Sequence, residues 1–488
     1  MICGKAMNLA RAKRAVASTA FLLLAGCSLA PVYQAPVVKV ATDAWKDSPW
    51  RQAQPADQLP RGAWWHMYGD PALDALEAKI ETANPNLASA LARYDQANAY
   101  TAQLRSGLFP SVDAGASLTQ NRQSDDRPLR GSNQPNVYAA NTVGVGASYD
   151  LDVWGRVRNQ VAAGLAESQA SAADVESVRL ALQAQLAENY VDLRGIDAQA
   201  KLLRDTVDAY RLALELTQRR HAGGIASGLD VARAETQLRS ARADAADIAS
   251  QRALYEHAID SLIGEPAMNF SLPVARSDLA VPVVPLGIPS ALLQRRPDVA
   301  AAERRTAAAN AQIGVARAAY FPDFTLGAAF GYQNTGGGGL LTAPNSFWTL
   351  GPGVIFNLFD AGLRDAKLAQ ARARLEQAGA DYRAVVLAAF QQVEDDLAHL
   401  KYDREGELEQ VAAVESATQT LDLAINRYRE GAVNYLEVAT AQAAALAAER
   451  SALELHTRQL RTSVDLIHAL GGGWSETQLV NNAIVSKQ

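Results

Sequence analysis

Cysteine is nearly absent: the 488 residues contain only Cys3 and Cys27. That excludes a multi-disulfide scaffold. Six histidines scattered singly (His66, His221, His257, His399, His456, His468) offer none of the Cys/His pairing that holds zinc. Aromatic residues make up 7% of the chain while hydrophobic residues reach 49%, so the apolar content rests on small aliphatic side chains such as the blocks Ala307–Ala309 and Ala443–Ala445. No apolar run approaches the ~20 residues that a transmembrane helix needs. Basic excess is missing too, since a net charge of -6 leaves no electrostatic footprint for nucleic acid. There is no G-x-S-x-G, P-loop, H-E-x-x-H or paired-cysteine motif, so the chain reads as a non-enzyme with no cofactor and no metal. At about 100 to 200 residues per domain, the length alone suggests about three domains.

What is present begins at the N-terminus. Lys5, Arg11, Lys13 and Arg14 precede a short apolar run from Ala15 to Leu24, the order of a secretory signal. The run ends in Leu24-Ala25-Gly26-Cys27, which resembles the lipobox of bacterial lipoproteins, where the peptide is cut before an acylated cysteine. Ser28 follows rather than aspartate, and the resemblance therefore implies the outer membrane. Cleavage would leave the mature chain four charges more acidic and, with Cys27 lipidated, without a free thiol. Pro31, Pro36, Pro49, Pro55 and Pro60 then mark an extended tether.

The body is one unit written twice. Pro85-Asn86-Leu87 recurs as Pro297-Asp298-Val299, and Leu108-Phe109-Pro110 as Tyr320-Phe321-Pro322, at an offset of 212. Beyond them the offset is 207: Leu151 and Gly155 match Leu358 and Gly362, Arg220 matches Arg427, and Gly264 matches Gly471. Gly224, Leu229 and Asp230 match Gly431, Leu436 and Glu437 at the same offset. The resulting division is a signal peptide over 1–26, a tether over 27–62, repeats over 63–272 and 290–473 joined by a proline-rich connector at 273–289, and a tail at 474–488.

Within each half the hydrophobic period changes. Asn86 to Leu108 reads as a helix stopped by Pro110. Strict alternation follows in Val112–Thr119 and Val143–Asp152, then again in Phe324–Tyr332 and Trp348–Leu358, about ten residues each. Two proline-free runs, Gly155 to Gly223 and Gly362 to Glu430, predict helices roughly 100 Å long. Leu203, Val207, Tyr210, Leu214 and Thr217 form one heptad seam, and Val411, Val414, Thr418, Leu421, Ile425 and Tyr428 another. Gly195, Gly379 and Gly406 are candidate bends or breaks. Helices return from Leu229 to Ile263 and from Leu436 to Leu470. Trp64 and Trp65 read as packing residues, and Arg295-Arg296-Pro297-Asp298 as helix-start chemistry.

Alternating ten-residue strands with one apolar face are the signature of a transmembrane β-barrel. Four strands cannot close one, so the sequence requires several copies: two, three or four would supply eight, twelve or sixteen strands. A structural coiled-coil lipoprotein would account for the heptads but not for the strands or the duplication.

The chain resembles the outer-membrane factors of tripartite efflux systems, the TolC and OprM family, and most closely its lipoprotein branch. The resemblance is carried by Trp64-Trp65 with Tyr68, Asp70-Pro71-Ala72-Leu73, Leu292-Leu293-Gln294-Arg295-Arg296-Pro297-Asp298-Val299, and Ala309 to Ala316 leading into Tyr320-Phe321-Pro322. It implies a mainly α fold with transmembrane β: a homotrimeric channel-tunnel with a twelve-stranded barrel and a long periplasmic helical barrel. It also implies a lipid on Cys27, a periplasmic adaptor, an inner-membrane pump and contact with outer-membrane lipids. The implied activity is passive conduction of drugs or other small molecules through a gate at the helical tip, with export of metal ions or proteins as the alternative cargo. The tip residues are Gly224, Leu229, Asp230, Gly431, Leu436 and Glu437. Of these, Leu436 matches the family's gate leucine, while Thr440 stands where related members often carry an aspartate.

Overall fold

The computed structural model describes residues 28–36, 63–124, 135–275, 279–284, 295–336 and 338–472. Cys27, the signal peptide, most of the tether, residues 292–294 of the Leu292–Val299 motif and the tail lie outside them. A 3-10 turn (Trp64–Tyr68) leads to α1 (Pro71–Ala83) and α2 (Pro85–Ser106), then β1 (Ser111–Arg122), β2 (Val137–Leu151), α3 (Arg156–Ala222) and α4 (Gly228–Leu262). The second half follows as α5 (Pro297–Ala318), β3 (Asp323–Asn334), β4 (Ser346–Ile355), α6 (Leu363–Arg429) and α7 (Tyr435–Ala469). The repeats agree in length, with 22 residues in α2 and α5, 67 in α3 and α6, and 35 in α4 and α7. Helix α1 was not separated from α2 by the sequence reading; its start is set by Asp70, whose carboxylate accepts from Ala72 N–H at 2.8 Å ahead of Pro71.

The chain forms two compact units. The first comprises the described residues 28–36, Tyr94–Ala170 and Ala302–Tyr382. Its four strands make one antiparallel sheet in the order β1-β2-β3-β4, so β2 and β3 join the two repeats. The register sorts side chains cleanly. Ala114, Val145, Phe330 and Trp348 stand side by side, as do Val112, Ala147, Ala328 and Leu350, giving one continuous apolar face. The opposite face carries rows such as Gly115-Gly144-Gly331-Phe347 and Ser117-Thr142-Gln333. Val112, Leu118, Trp348, Leu350 and Val354 are all more than half exposed.

Residues 28–36 are not a free tether. They lie along α5, where Glu303, Asn310 and Arg317, seven residues apart on one face, each hold one point of the strap. Tyr33 Oη donates to Glu303 Oε1 (2.6 Å), Asn310 Nδ2 to the Pro31 carbonyl (2.9 Å), and Arg317 Nη1 to the Leu29 carbonyl (3.1 Å). Ser28 Oγ adds a bond to Asn159 Oδ1 at 2.9 Å.

The second unit comprises the described residues of Val37–Arg93, Ser171–Ala301 and Arg383–Gln488. The duplication is visible here atom by atom. Asn84 Nδ2 donates to the Leu262 carbonyl at 2.7 Å, closing the end of α4; the equivalent Arg296 donates to the Ala469 carbonyl at 3.1 Å, closing the end of α7. At Gly264 and Gly471 an added Cβ would collide with the backbone carbonyls of Ala83 and Arg295, again equivalent positions. Asp298 does sit in the first turn of α5, but its carboxylate grips the Arg296 guanidinium at 2.7 and 3.0 Å. Trp64 and Trp65 are buried edge to face, with ring centroids 5.8 Å apart.

Two expectations are corrected. Gly195, Gly379 and Gly406 break nothing, because α3 and α6 are continuous; Gly195 instead permits close approach of Thr457, whose side chain occupies the space a Cβ would need. The α3 seam packs as the spacing predicts, with Leu203, Tyr210 and Thr217 buried. In α6, Val411 and Thr418 are exposed; the inward heptad runs through Asp403, Gln410, Ala417 and Ala424 to Tyr428. Polar Asp403 and Gln410 disguise that stripe, since Asp403 is neutralised by Arg458 at 2.7 Å and Gln410 Nε2 donates to the Ala448 carbonyl at 3.0 Å.

Two consequences can be measured. Arg296→Ala leaves the Asp298 carboxylate and the end of α7 without their buried donor and should cost about 3 kcal/mol in unfolding, against about 1 to 2 kcal/mol for Asn84→Ala at the neutral equivalent. Burial and the adjoining Asp465 push Glu188 up to about 8, and burial lifts Asp396 to about 7. Because the folded state favours the protonated forms, their stabilisation is full below the ordinary carboxylate range and is lost as pH rises through about 7 to 8. The apparent Tm should fall by a few degrees between pH 5 and 9, and Glu188→Gln should flatten that slope; an unchanged slope would count against the assignment.

Candidate functional site

The residues singled out by the sequence meet at two turns, both in the second unit. Each long helix ends in a Schellman motif. Ile225 N–H bonds the Arg220 carbonyl (2.8 Å) and Gly224 N–H the His221 carbonyl (2.9 Å); Ala432 N–H bonds the Arg427 carbonyl (2.9 Å) and Gly431 N–H the Tyr428 carbonyl (3.0 Å). Gly224 and Gly431 take φ of 78° and 82°, the left-handed region where a side chain is strained.

Both returning helices are capped, but with different chemistry. Ser227 and Asp230 form a capping box: Ser227 Oγ accepts from Asp230 N–H (3.2 Å), and Asp230 Oδ2 accepts from Ser227 N–H (3.2 Å) and from the Ser227 hydroxyl (2.9 Å). In the other turn Asn434 Oδ1 accepts from Leu436 N–H at 3.1 Å. Glu437, free of capping, stands 3.8 Å from Arg427. The Asp230 side chain is 14% exposed and that of Glu437 54%, so the two acids matched by the repeat do unlike work. Leu229 and Leu436 project outward, 59% and 46% exposed. Thr440 Oγ1 is tied to the Leu436 carbonyl at 2.9 Å and leaves no charge one turn along.

Behind the turns sits a lock that the sequence reading did not identify. The Arg220 guanidinium stacks 4.5 Å from the Tyr428 ring centre and donates to the Tyr428 carbonyl, joining the ends of α3 and α6. Tyr428 meets Tyr435 edge to face at 5.6 Å, and the Tyr435 hydroxyl donates to Gln237 Oε1 at 2.9 Å. Tyr435, Val438, Ala441 and Ala234 complete a buried cluster around them. Arg220 was legible only as one of a repeated pair with Arg427; nothing in the linear sequence points Gln237 at Tyr435. Cys27 lies outside the described residues.

The chain matches the family described as outer membrane efflux protein over residues 78–265 and 288–472, one match for each repeat. It is 32% identical over 460 residues to the outer membrane protein OprJ of Pseudomonas aeruginosa, covering 93% of this chain and 95% of that protein. It is 33% identical over 465 residues to the antibiotic efflux pump outer membrane protein ArpC of Pseudomonas putida, covering 94% and 95%. The open-state crystal structure of the MtrE outer membrane channel of Neisseria gonorrhoeae superposes with a TM-score of 0.79 at 27% identity, covering 92% of this chain and 98% of that one. The two family matches, the paired helix turns and a sheet that presents one apolar and one small-residue face agree: this chain belongs to the outer membrane efflux protein family and is the outer-membrane channel component of an efflux pump, not an enzyme.

Proposed function

We propose that three copies close their four-stranded sheets into one twelve-stranded barrel, and that the paired helix turns form a periplasmic gate on the resulting duct. The observation that carries this reading is the open sheet, with an apolar face and with β1 and β4 each paired on one side only. Unpaired strand edges are not tolerated in hydrocarbon, because no water is there to satisfy them. Copies of the same chain supply the missing partners. The small residues of the opposite face leave the interior open, so conduction is passive and the cargo is selected elsewhere, by an inner-membrane pump reached through a periplasmic adaptor. A lipid on Cys27 adds a second hold on the outer membrane. The cargo is of the small-molecule class that ArpC's name records, the antibiotics.

In this reading Leu436 and Glu437 are the gate's inward groups and the Arg220–Tyr428 contact is its latch. Exposed Leu436 contributes little to folding but narrows the aperture. Leu436→Ala should raise single-channel conductance in planar bilayers several-fold with little change in Tm. Arg220→Ala should raise it too, at the further cost of about 1 to 2 kcal/mol for the lost cation–π contact and cap. Closed-state currents indistinguishable from wild type in both variants would refute a gate at these turns. Deletion of the gene should sensitise cells to antibiotics, and tolerance unaltered across drug classes would refute the cargo assignment while leaving the channel intact.

A further inference from the structure

Within the second unit, midway along α3 and α6, carboxyl groups from both repeats crowd together. Glu188 and Asp192 come from α3, Asp396 from α6 and Asp465 from α7. Glu188 and Asp465 share a side-chain hydrogen bond, and two carboxyl groups can do so only while one of them holds a proton. Burial, and after it the Asp465 charge, lifts Glu188 to about 8. Asp396 is 8% exposed, and its Oδ2 has no hydrogen-bond partner among the described residues. The cations within reach are engaged elsewhere. Arg461 stands 4.0 Å from Asp192, which also meets the Tyr255 hydroxyl of α4, and Arg296 is held by Asp298 and Gln392. Burial lowers His468, so it adds no charge at neutral pH. Tyr68, bonded to Ser463 and close to Asp465, keeps its proton because burial pushes the phenol up.

We propose that the Glu188–Asp465 pair is a proton-operated clasp between the two repeats. One shared proton ties α3 to α7. When that proton leaves to water, two like charges face each other across the same contact, Asp192 and Asp396 add to them, and the helices part. The clasp is shut at neutral pH and opens as pH rises through about 8, the direction in which a raised carboxyl loses its proton. Its effect on conduction rests on the gate reading above. About 50 Å of uninterrupted helix joins Glu188 to the turn at Gly224, and about 45 Å joins Asp465 to the start of α7 at Tyr435. An open clasp therefore leaves the Arg220–Tyr428 latch to hold the turns alone.

The test follows deuterium exchange of the purified full-length chain at pH 6.5 and pH 9, each rate corrected for the intrinsic pH dependence of amide exchange. Protection of α3 around Glu188 and of α7 around Asp465 should fall about tenfold between the two, the loss of the protonated pair one pH unit above half-titration, while β2 keeps its protection. Glu188→Gln places an amide donor opposite Asp465 at every pH and should hold the pH 6.5 protection throughout. Asp465→Asn should do the same from the other side and replaces the first variant if that one does not assemble. No fall in the wild-type chain, or a fall that persists in the amide variant, would overturn the clasp. In planar bilayers the wild-type current should rise several-fold from pH 6.5 to pH 9 and stay flat in Glu188→Gln. Exchange that responds to pH while the current does not would retain the clasp and refute only its link to the gate, on which the Leu436→Ala current reports separately.

Discussion

A β-strand cannot end a sheet inside hydrocarbon. Each unpaired N–H and C=O there costs several kcal/mol, so the outer-membrane part of this chain is complete only when β1 and β4 find partners that one copy does not contain. Much of the rest of the molecule answers to that requirement. The exposed Trp348, Leu350 and Val354 would be a liability on a soluble sheet and are appropriate on one that faces lipid. The small residues of the other face, several of them glycine, leave room on the side that must stay open. Joining the repeats through β2 and β3 makes the sheet continuous across the duplication, so a single chain contributes one unbroken arc.

Duplication gave the two halves the same backbone geometry, and the side chains then diverged in two ways. At some positions the task stayed and the chemistry changed. Asn84 and Arg296 both close the end of a returning helix, one with a neutral amide and the other with a guanidinium that needs Asp298 and Gln392 to hold it. Elsewhere the chemistry stayed and the task changed. Arg220 stacks on Tyr428 while its equivalent Arg427 faces Glu437; Asp230 caps its own helix while Glu437 stands free. The paired turns are therefore alike in backbone and unlike in charge presented to solvent.

Periodicity made much of the architecture legible. Helix ends at Gly224 and Gly431 could be placed because left-handed backbone favours glycine, and the strands because alternation with small residues is hard to mistake over four segments. The α6 seam was misassigned at Val411 and Thr418 because hydrophobicity was taken as the sign of burial, whereas Asp403 and Gln410 are on the inner face with polar partners. Gly195 looked like a break for a similar reason: the sequence displays a missing side chain but not the Thr457 that needs the space. The strap at residues 28–36 looked free because its prolines signal extension, and extension says nothing about what lies alongside.

The sequence by itself determined the repeat, the four lipid-type strands, the very long helices and the need for more than one copy, because each follows from local period and length. Only the tertiary structure decided which residues meet: Tyr33 with Glu303, Arg220 with Tyr428, and Tyr435 with Gln237. The reason is physical. Period and backbone preference act over a few neighbouring residues and are written along the chain. A hydrogen bond or a cavity depends on side chains up to hundreds of positions apart being brought within about 3 Å, and the fold alone sets that.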